Sequence, residues 1–491
     1  MDFFENFKPI RNKLNTLSLW DILDKLYKMQ KSNKIQLTKE EIEFVYLNSI
    51  VYSDDYINSR NDWNQNVWVN ILNQCKALNN KISEPLLSPD SDPFDWLRTM
   101  GLNQAKAHSN SYSNQLYRYY YIFSSNAQIR EYIENKINMS YNDFFIYATC
   151  LHMIYQNENY FFDRKYLLSI DKGAPFSSEN IMKTLGILSI TLSDLKVSLK
   201  KELRYDENSF NTNGLAGSEI LAFTHLVKPI FEFNNKFYCL FPELLLHQFT
   251  SGIYYIAELY DPKCNLSNPF GSAFEDYVGL ILEKNNVLKN LRILKEFPYQ
   301  DGRNKNKTSD WTIETDDAIV FIECKTKRLR KESKMYENNE MEDENTIKES
   351  DTAKIAEAVE QVYKVYTHYS NNEIPGLIFD SSKVFIPIVL TLEEWFAQFP
   401  NINDKVTEIV KSKLKGENIA LVDRYKFHIF SISKFESVVQ IMFKHGFKYY
   451  FKELDSNKTV NEIEHSFDYK NYFEKEINCI LTESIKDISK T

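Results

Sequence analysis

The sequence contains Ser309-Asp310-Trp311 and, a short distance later, Val320-Phe321-Ile322-Glu323-Cys324-Lys325. Asp310 and Glu323 are 13 positions apart, a spacing that suits the end of one strand, a turn and a returning strand. Side chains alternate between the two faces of a strand, so Glu323 and Lys325 share one face. Residues 318–322 are all apolar, which predicts a strand buried on both faces. Such a strand admits Glu and Lys only if they are paired or bind a metal.

Composition limits the classes of protein that fit the chain. It has 491 residues, with 43% hydrophobic and 26% charged residues, as ordinary soluble globular proteins do. The net charge of −9 argues against a protein that coats nucleic acid non-specifically, but it allows a local basic groove.

The six cysteines of the chain are far apart and form no Cys-x-x-Cys, which argues against a disulfide framework or structural zinc. No secretory start and no membrane-spanning apolar run is found, so we expect a cytoplasmic protein.

Apolar periodicity divides the chain into regions and predicts an α+β multidomain protein. Residues 1–240 are predicted to be mainly helical, residues 241–268 a linker or helical connection, and residues 401–491 a small C-terminal α/β extension packed on the preceding domain. Between them, residues 269–400 have the predicted order α-β-β-β-α-β. The predicted elements of this core are Phe270–Lys284, Leu291–Phe297, Trp311–Thr315, Ala318–Thr326, Thr352–Tyr369 and Val384–Leu392.

The paired acids and the lysine suit phosphodiester hydrolysis. Mg²⁺ prefers oxygen ligands, which the carboxylates of Asp310 and Glu323 provide. Lys325 can polarise the attacking water or stabilise the developing negative charge. The competing interpretation is a strand that ends in solvent, with Glu323 and Lys325 as a surface pair. The aspartate at hairpin spacing and the surrounding order of elements favour the catalytic interpretation.

Two helices carry further candidates. Glu275 borders the apolar sector of the first core helix, where a carboxylate can reach a metal. Alternatively, Ser272 and Glu275 form a capping box, unless the helix already begins at Asn268-Pro269. On the second helix Gln361 lies in a polar stripe, which a solvated face explains equally well.

The motif resembles that of the PD-(D/E)XK nuclease superfamily, which has the restriction-endonuclease-like fold. Ser309-Asp310 stands in place of Pro-Asp, Glu323-Cys324-Lys325 matches (D/E)-X-K, and the resemblance covers roughly Pro269–Leu392. It implies that Asp310 and Glu323 bind Mg²⁺, or Mn²⁺ in its place, that the main-chain carbonyl of Cys324 is a further ligand, and that Lys325 is catalytic. It also implies that Glu275 is a first-helix acid at the metal.

Some branches of this superfamily use a Gln-x-x-x-Tyr helix near the metal, and Gln361 would be its glutamine. The match is imperfect, because Val365 occupies the expected tyrosine position and Tyr366 follows it.

Basic residues bracket the motif and predict contacts with the phosphates of a nucleic acid, although a solvated loop is the plainer alternative. They are Arg303, Lys305, Lys307, Lys327, Arg328, Arg330 and Lys331. We therefore expect a Mg²⁺-dependent nuclease, acting on DNA by analogy with the superfamily, in bacterial genome defence or mobile-element processing. The alternatives are an inactive nuclease-fold protein that binds nucleic acid or a protein partner, and an RNA nuclease. A homodimer, or a partner protein bound by the N-terminal region, is compatible with the sequence.

Overall fold

The chain is an α+β protein with two main sheets, and most of the residues that the structure describes are helical. The structure, a computed structural model, describes residues 3–32, 37–55, 63–83, 112–169, 177–203, 222–254, 266–287, 289, 291–301, 304–326, 346–394, 400–414, 418–455 and 473–488. Within these ranges no helix is long and apolar enough to cross a membrane.

The mainly helical character predicted for the first half is confirmed. Its helices are α1 (Phe3–Leu14), α2 (Leu19–Lys31), α3 (Lys39–Tyr52), α4 (Gln65–Ser83), α5 (Tyr112–Ser125), α6 (Ala127–Ile137), α7 (Tyr141–Asn157), α8 (Arg164–Ser169), α9 (Ser178–Leu188), α10 (Leu192–Glu202) and α11 (Phe223–Val227). Helix α3 begins with a capping box between Thr38 and Glu41, which satisfies amide groups at the start of the helix.

A four-stranded sheet also belongs to this half, in the order β1-β4-β3-β2. The strands are β1 (Phe161–Asp163), β2 (Ser189–Thr191), β3 (Ile230–Phe233) and β4 (Lys236–Tyr238). The hairpin of β3 and β4 turns through Asn234 and Asn235, whose φ angles of 47° and 59° are ones that asparagine tolerates well. Strands β1 and β2 have only three residues each, too few to show a period, and the sequence did not predict them.

The second half follows the predicted order α-β-β-β-α-β, with one added hairpin. After α12 (Pro242–Phe249) come α13 (Ser267–Asn286), β5 (Arg292–Lys295), the hairpin of β6 (Pro298–Asp301) and β7 (Asn304–Lys307), β8 (Trp311–Glu314), β9 (Ala318–Lys325), α14 (Thr346–Ser370) and β10 (Val384–Thr391). Then follow α15 (Pro400–Lys413), α16 (Asn418–Arg424), β11 (His428–Ser431), α17 (Ile432–His445), α18 (Phe447–Asp455) and α19 (Glu474–Ile488).

Five of these strands form one mixed sheet in the order β11-β10-β9-β8-β5. Strands β5, β8 and β9 pair antiparallel, whereas β9, β10 and β11 are parallel. Strand β11, from the C-terminal extension, therefore completes the edge of the sheet.

Helices cover both faces of this sheet. Ile322 and Trp311 pack with α13 on one face, while Phe321 packs with α14 on the other. Helix α13 and strand β8 come very close at Gly279, where an added Cβ would lie 2.3 Å from the Trp311 ring. This contact fixes the helix against the strand that follows Asp310.

Candidate active site

Three acidic residues lie side by side across three neighbouring strands. Lys295 pairs with Trp311, and Trp311 pairs with Ile322. Extending both antiparallel ladders by one residue places Glu296 opposite Asp310 and Asp310 opposite Glu323. The main-chain N–H of Glu296 donates to the Asp310 carbonyl at 2.9 Å, in agreement with this register. Directly opposed residues share a sheet face, so these residues form what we call the acid row.

Two strong hydrogen bonds hold the predicted motif together. The Cys324 main-chain N–H donates to Oδ2 of Asp310 at 2.6 Å, and Nζ of Lys325 donates to Oε1 of Glu323 at 2.7 Å. Asp310 and Glu323 are only 8% and 2% exposed. The structure thus brings together the two acids and the lysine that the sequence singled out, on one face of one sheet.

One oxygen of this group has no partner. Oε2 of Glu323 is buried and accepts no hydrogen bond within the described part of the chain. Burying a carboxylate oxygen without a partner is costly, so a proton or a bound cation is needed there.

The carboxyl groups of the site have raised pKa values. Burial, followed by the charge of Asp310, raises the pKa of Glu323 to about 8. Burial also raises the pKa of Glu275 to about 7, with Asp310 and Glu296 adding to the effect. The pKa of Asp310 is raised by burial too, although its bond from Cys324 opposes the shift. The site therefore holds more acidic groups than its lysine can neutralise.

Glu275 reaches the site from helix α13. Its carbonyl oxygen accepts the indole N–H of Trp311 at 3.0 Å, which holds its backbone beside the strand that Asp310 precedes. Because α13 begins at Ser267, Ser272 lies inside the helix and the capping-box alternative is wrong. The half-buried Glu275 carboxyl therefore does not cap the helix, and the charge of Asp310 contributes to its raised pKa.

Helix α14 places a different residue beside Lys325 from the one that was singled out. Gln361 is half-buried on the polar stripe of this helix, and its side chain makes no hydrogen bond to another described residue. One turn earlier, hydrogen bonding to Lys354 lowers the pKa of Glu357, with smaller contributions from Lys413 and Lys325. The charge of Lys325 thus acts on Glu357, while the role of Gln361 remains a prediction.

The predicted basic residues divide into two groups. Lys305 and Lys307 are exposed on β7, and Nζ of Lys307 lies 2.9 Å from Oε2 of Glu296. Lys307 thus sits at the end of the acid row. The remaining predicted contacts lie outside the described residues; they are Arg303, Lys327, Arg328, Arg330 and Lys331.

The sequence interpretation missed Glu296. This residue precedes Asp310 by 14 positions and follows a short strand, so no local motif marks it. Only the pairing of β5 with β8 places it next to Asp310. The available signal was an acid next to the last residue of the predicted strand Leu291–Phe297, but its significance depends on the pairing register of that strand.

The described residues include no group of three or more His, Cys, Asp or Glu side chains arranged to hold a metal ion. The predicted metal site thus depends on fewer side chains, together with main-chain groups such as the predicted carbonyl of Cys324. The thiol of Cys324 belongs to the buried apolar core on the other face, where burial raises its pKa. A role for this thiol as a nucleophile is accordingly not supported.

In the comparisons with known proteins, no family model, no curated protein and no solved structure matches the chain. The resemblance to PD-(D/E)XK nucleases stays a prediction from the sequence motif.

Proposed function

We propose that the chain is a Mg²⁺-dependent nuclease with a restriction-endonuclease-like core, and that DNA is its substrate. The observation that supports this most is the acid row beside Lys325, with the buried and unpartnered Oε2 of Glu323. Raised pKa values at Glu275 and Glu323 support it as well, because closely spaced acids favour a cation among them.

In this proposal each residue has a distinct task. Asp310 and Glu323 would hold Mg²⁺, with the Cys324 carbonyl as a further ligand and the Glu275 carboxyl nearby; when bound, Mg²⁺ supplies positive charge at the scissile phosphate and polarises the attacking water. Lys325 orients that water or stabilises the negative charge that develops on the phosphate. The bond from Cys324 to Asp310 holds that carboxylate in one orientation.

The test is a cleavage assay with purified protein on linear, circular and single-stranded DNA and on RNA, in Mg²⁺ or in EDTA. We expect Mg²⁺-dependent cleavage of DNA. Lys325→Ala should lower the cleavage rate by about 100-fold or more, since one removed electrostatic contact commonly costs that much, and it should leave binding intact. Lys28→Ala, which changes an exposed lysine on α2 that pairs with Asp24, is the matched control.

Cleavage of RNA alone would reassign the substrate. Full activity in Lys325→Ala would place the chemistry elsewhere and contradict the proposal.

A second candidate is a protein with this fold that binds nucleic acid without cutting it. It is favoured by the lack of a three-side-chain metal group in the described residues and by the ion pair of Lys325 with Glu323. In that arrangement the ammonium group, and not a metal, neutralises Glu323. Binding of DNA without cleavage in Mg²⁺ or Mn²⁺ would favour this candidate.

A further inference from the structure

A second group of lysines lies on helices α14 and α15. Nζ of Lys354, on α14, is 2.8 Å from Oε2 of Glu357, and Nζ of Lys413, at the end of α15, is 3.8 Å from Oε1 of the same residue. These three side chains, which we call the Lys354–Lys413 patch, are exposed or half-exposed and carry one net positive charge.

The packing of α14 against β9 places this patch next to the motif. The Phe321 ring contacts Tyr369 at 5.9 Å between centroids. Helix α14 covers the sheet face that carries Phe321, Glu323 and Lys325. Going back from Tyr369 to Glu357 spans about 18 Å of helix, and going forward from Phe321 to Lys325 spans about 13 Å of strand. Helix α14 runs antiparallel to β9, because it connects β9 to the parallel strand β10. Moving back along the helix therefore leads to the same end of the sheet as moving forward along the strand, and Glu357 and Lys325 both lie toward that end.

The acid row runs from the β5 edge of the sheet to β9. Lys307, and Lys305 on the same strand, lie at its Glu296 end. The Lys354–Lys413 patch includes a residue of α14, the helix that packs on β9 and β10, and therefore lies on the Glu323 side of the row. A nucleic-acid strand whose phosphates bind these lysines would therefore contact positive charge on each side of the acid row.

We propose that the Lys354–Lys413 patch is a second phosphate-binding surface, so that one DNA strand lies across the acid row and is held on both sides of the bond that is cut. This inference rests on the proposed nuclease function and extends it in two ways. The C-terminal extension contributes Lys413 to substrate binding. The substrate strand continues past both sides of the site, so cleavage is internal and needs no free end.

The test uses the full chain with Lys325→Ala, so that binding is measured without cleavage. Lys354→Gln and Lys413→Gln are added together, and affinity for a labelled linear DNA duplex is measured against salt concentration. Each lost phosphate contact lowers the slope of log affinity against log salt by about 0.9, so we expect a decrease of about 1.8. The control pair is Lys28→Gln with Lys183→Gln, two lysines of the N-terminal half that also have acidic partners; it should leave the slope unchanged.

A second measurement uses covalently closed circular DNA and the protein with Lys325 intact. We expect it to be cut, and to be cut more slowly after the change of both patch lysines. An unchanged salt slope, or cutting of linear DNA with no cutting of circles, would overturn this inference and leave the nuclease proposal standing. A protein that neither binds nor cuts DNA would contradict the nuclease proposal itself. The thermal unfolding temperature of each variant reports whether it is folded.

Discussion

At the scale of single residues, the raised pKa values of two glutamates make the stability of the protein depend on pH. Glu275 and Glu323 have pKa values of about 7 and about 8, above the ordinary value of about 4.3 for a glutamate. The folded state thus binds these protons more tightly than the unfolded state does. Their contribution to the free energy of unfolding is complete below about pH 4.3 and is lost as the pH rises through 7 to 8.

We therefore expect Mg²⁺ to stabilise the protein more at pH about 8.5 than at pH about 6, because at the lower pH it must displace protons. The measurement is the thermal unfolding temperature in Mg²⁺ and in EDTA at each pH. Asp310→Asn keeps an oxygen that can accept the Cys324 N–H but removes a charge of the acid row. This variant should show a smaller Mg²⁺ effect at both pH values. An equal Mg²⁺ effect at both pH values in the unmodified protein would argue against a cation among these acids.

The residues of the site differ in how far the sequence alone predicts them. Asp310, Glu323 and Lys325 were recognisable because charged residues follow a strand that is otherwise apolar. Glu296 and Glu357 were not, because their positions arise from strand register and helix packing over long stretches of chain. Local pattern thus identifies the centre of the site, and tertiary structure supplies its border.

At the scale of elements, long periodic helices and apolar strands were predicted to within a few residues. The predicted helix Phe270–Lys284 is Ser267–Asn286 in the structure, and the predicted strand Val384–Leu392 ends one residue earlier. Strands β1 and β2 were not predicted, because three residues are too few to show a sequence pattern. These strands form through pairing with neighbouring strands. The β6–β7 hairpin, made mostly of polar residues, carries no apolar alternation either.

Helix α13 gives an element-scale prediction through its two glycines. Gly279→Ala would place a Cβ against the Trp311 ring, and overpacking of this kind costs about 1–3 kcal/mol. Gly271→Ala, in the same helix, meets nothing within 4 Å and should add up to about 1 kcal/mol through better helix propensity. Urea unfolding of both variants measures the difference. If both alanines had the same effect, the close approach of α13 to β8 would not be a structural requirement.

At the scale of the whole molecule, the regions predicted from apolar periodicity share one large hydrophobic cluster. A single cluster joins Leu116 in the N-terminal half, Trp311 in the mixed sheet and Ile477 in the C-terminal extension. The second cluster lies within the N-terminal half, on the other face of its four-stranded sheet. The first cluster also includes Leu245, Phe249 and Ile253, so the main core extends across the predicted connection of residues 241–268. No local sequence pattern could reveal this, because the contacts join residues hundreds of positions apart.

A buried ion pair ties these regions together. Arg118 on α5 donates from Nε and Nη2 to the two carboxylate oxygens of Glu436 on α17, at 2.7 and 2.9 Å. The Tyr277 hydroxyl, on α13, donates to the same carboxylate at 2.9 Å. All three side chains are buried. One carboxylate therefore connects the N-terminal half, the helix that carries Glu275 and the C-terminal extension.

Removing one partner of this pair should destabilise the whole chain. Glu436→Gln leaves the Arg118 charge buried without compensation, and such a loss costs about 3–5 kcal/mol. Arg118→Met combined with Glu436→Leu should cost less than Glu436→Gln alone, since the double change leaves no isolated charge. Urea unfolding followed by tryptophan fluorescence and by circular dichroism measures these differences, and the two signals should coincide if the regions unfold together.

The control for this prediction is Arg292→Met, which breaks a more exposed pair with Glu314 and should cost no more than about 1 kcal/mol. An effect of Glu436→Gln as small as that control would mean that the regions are held together by the apolar core alone.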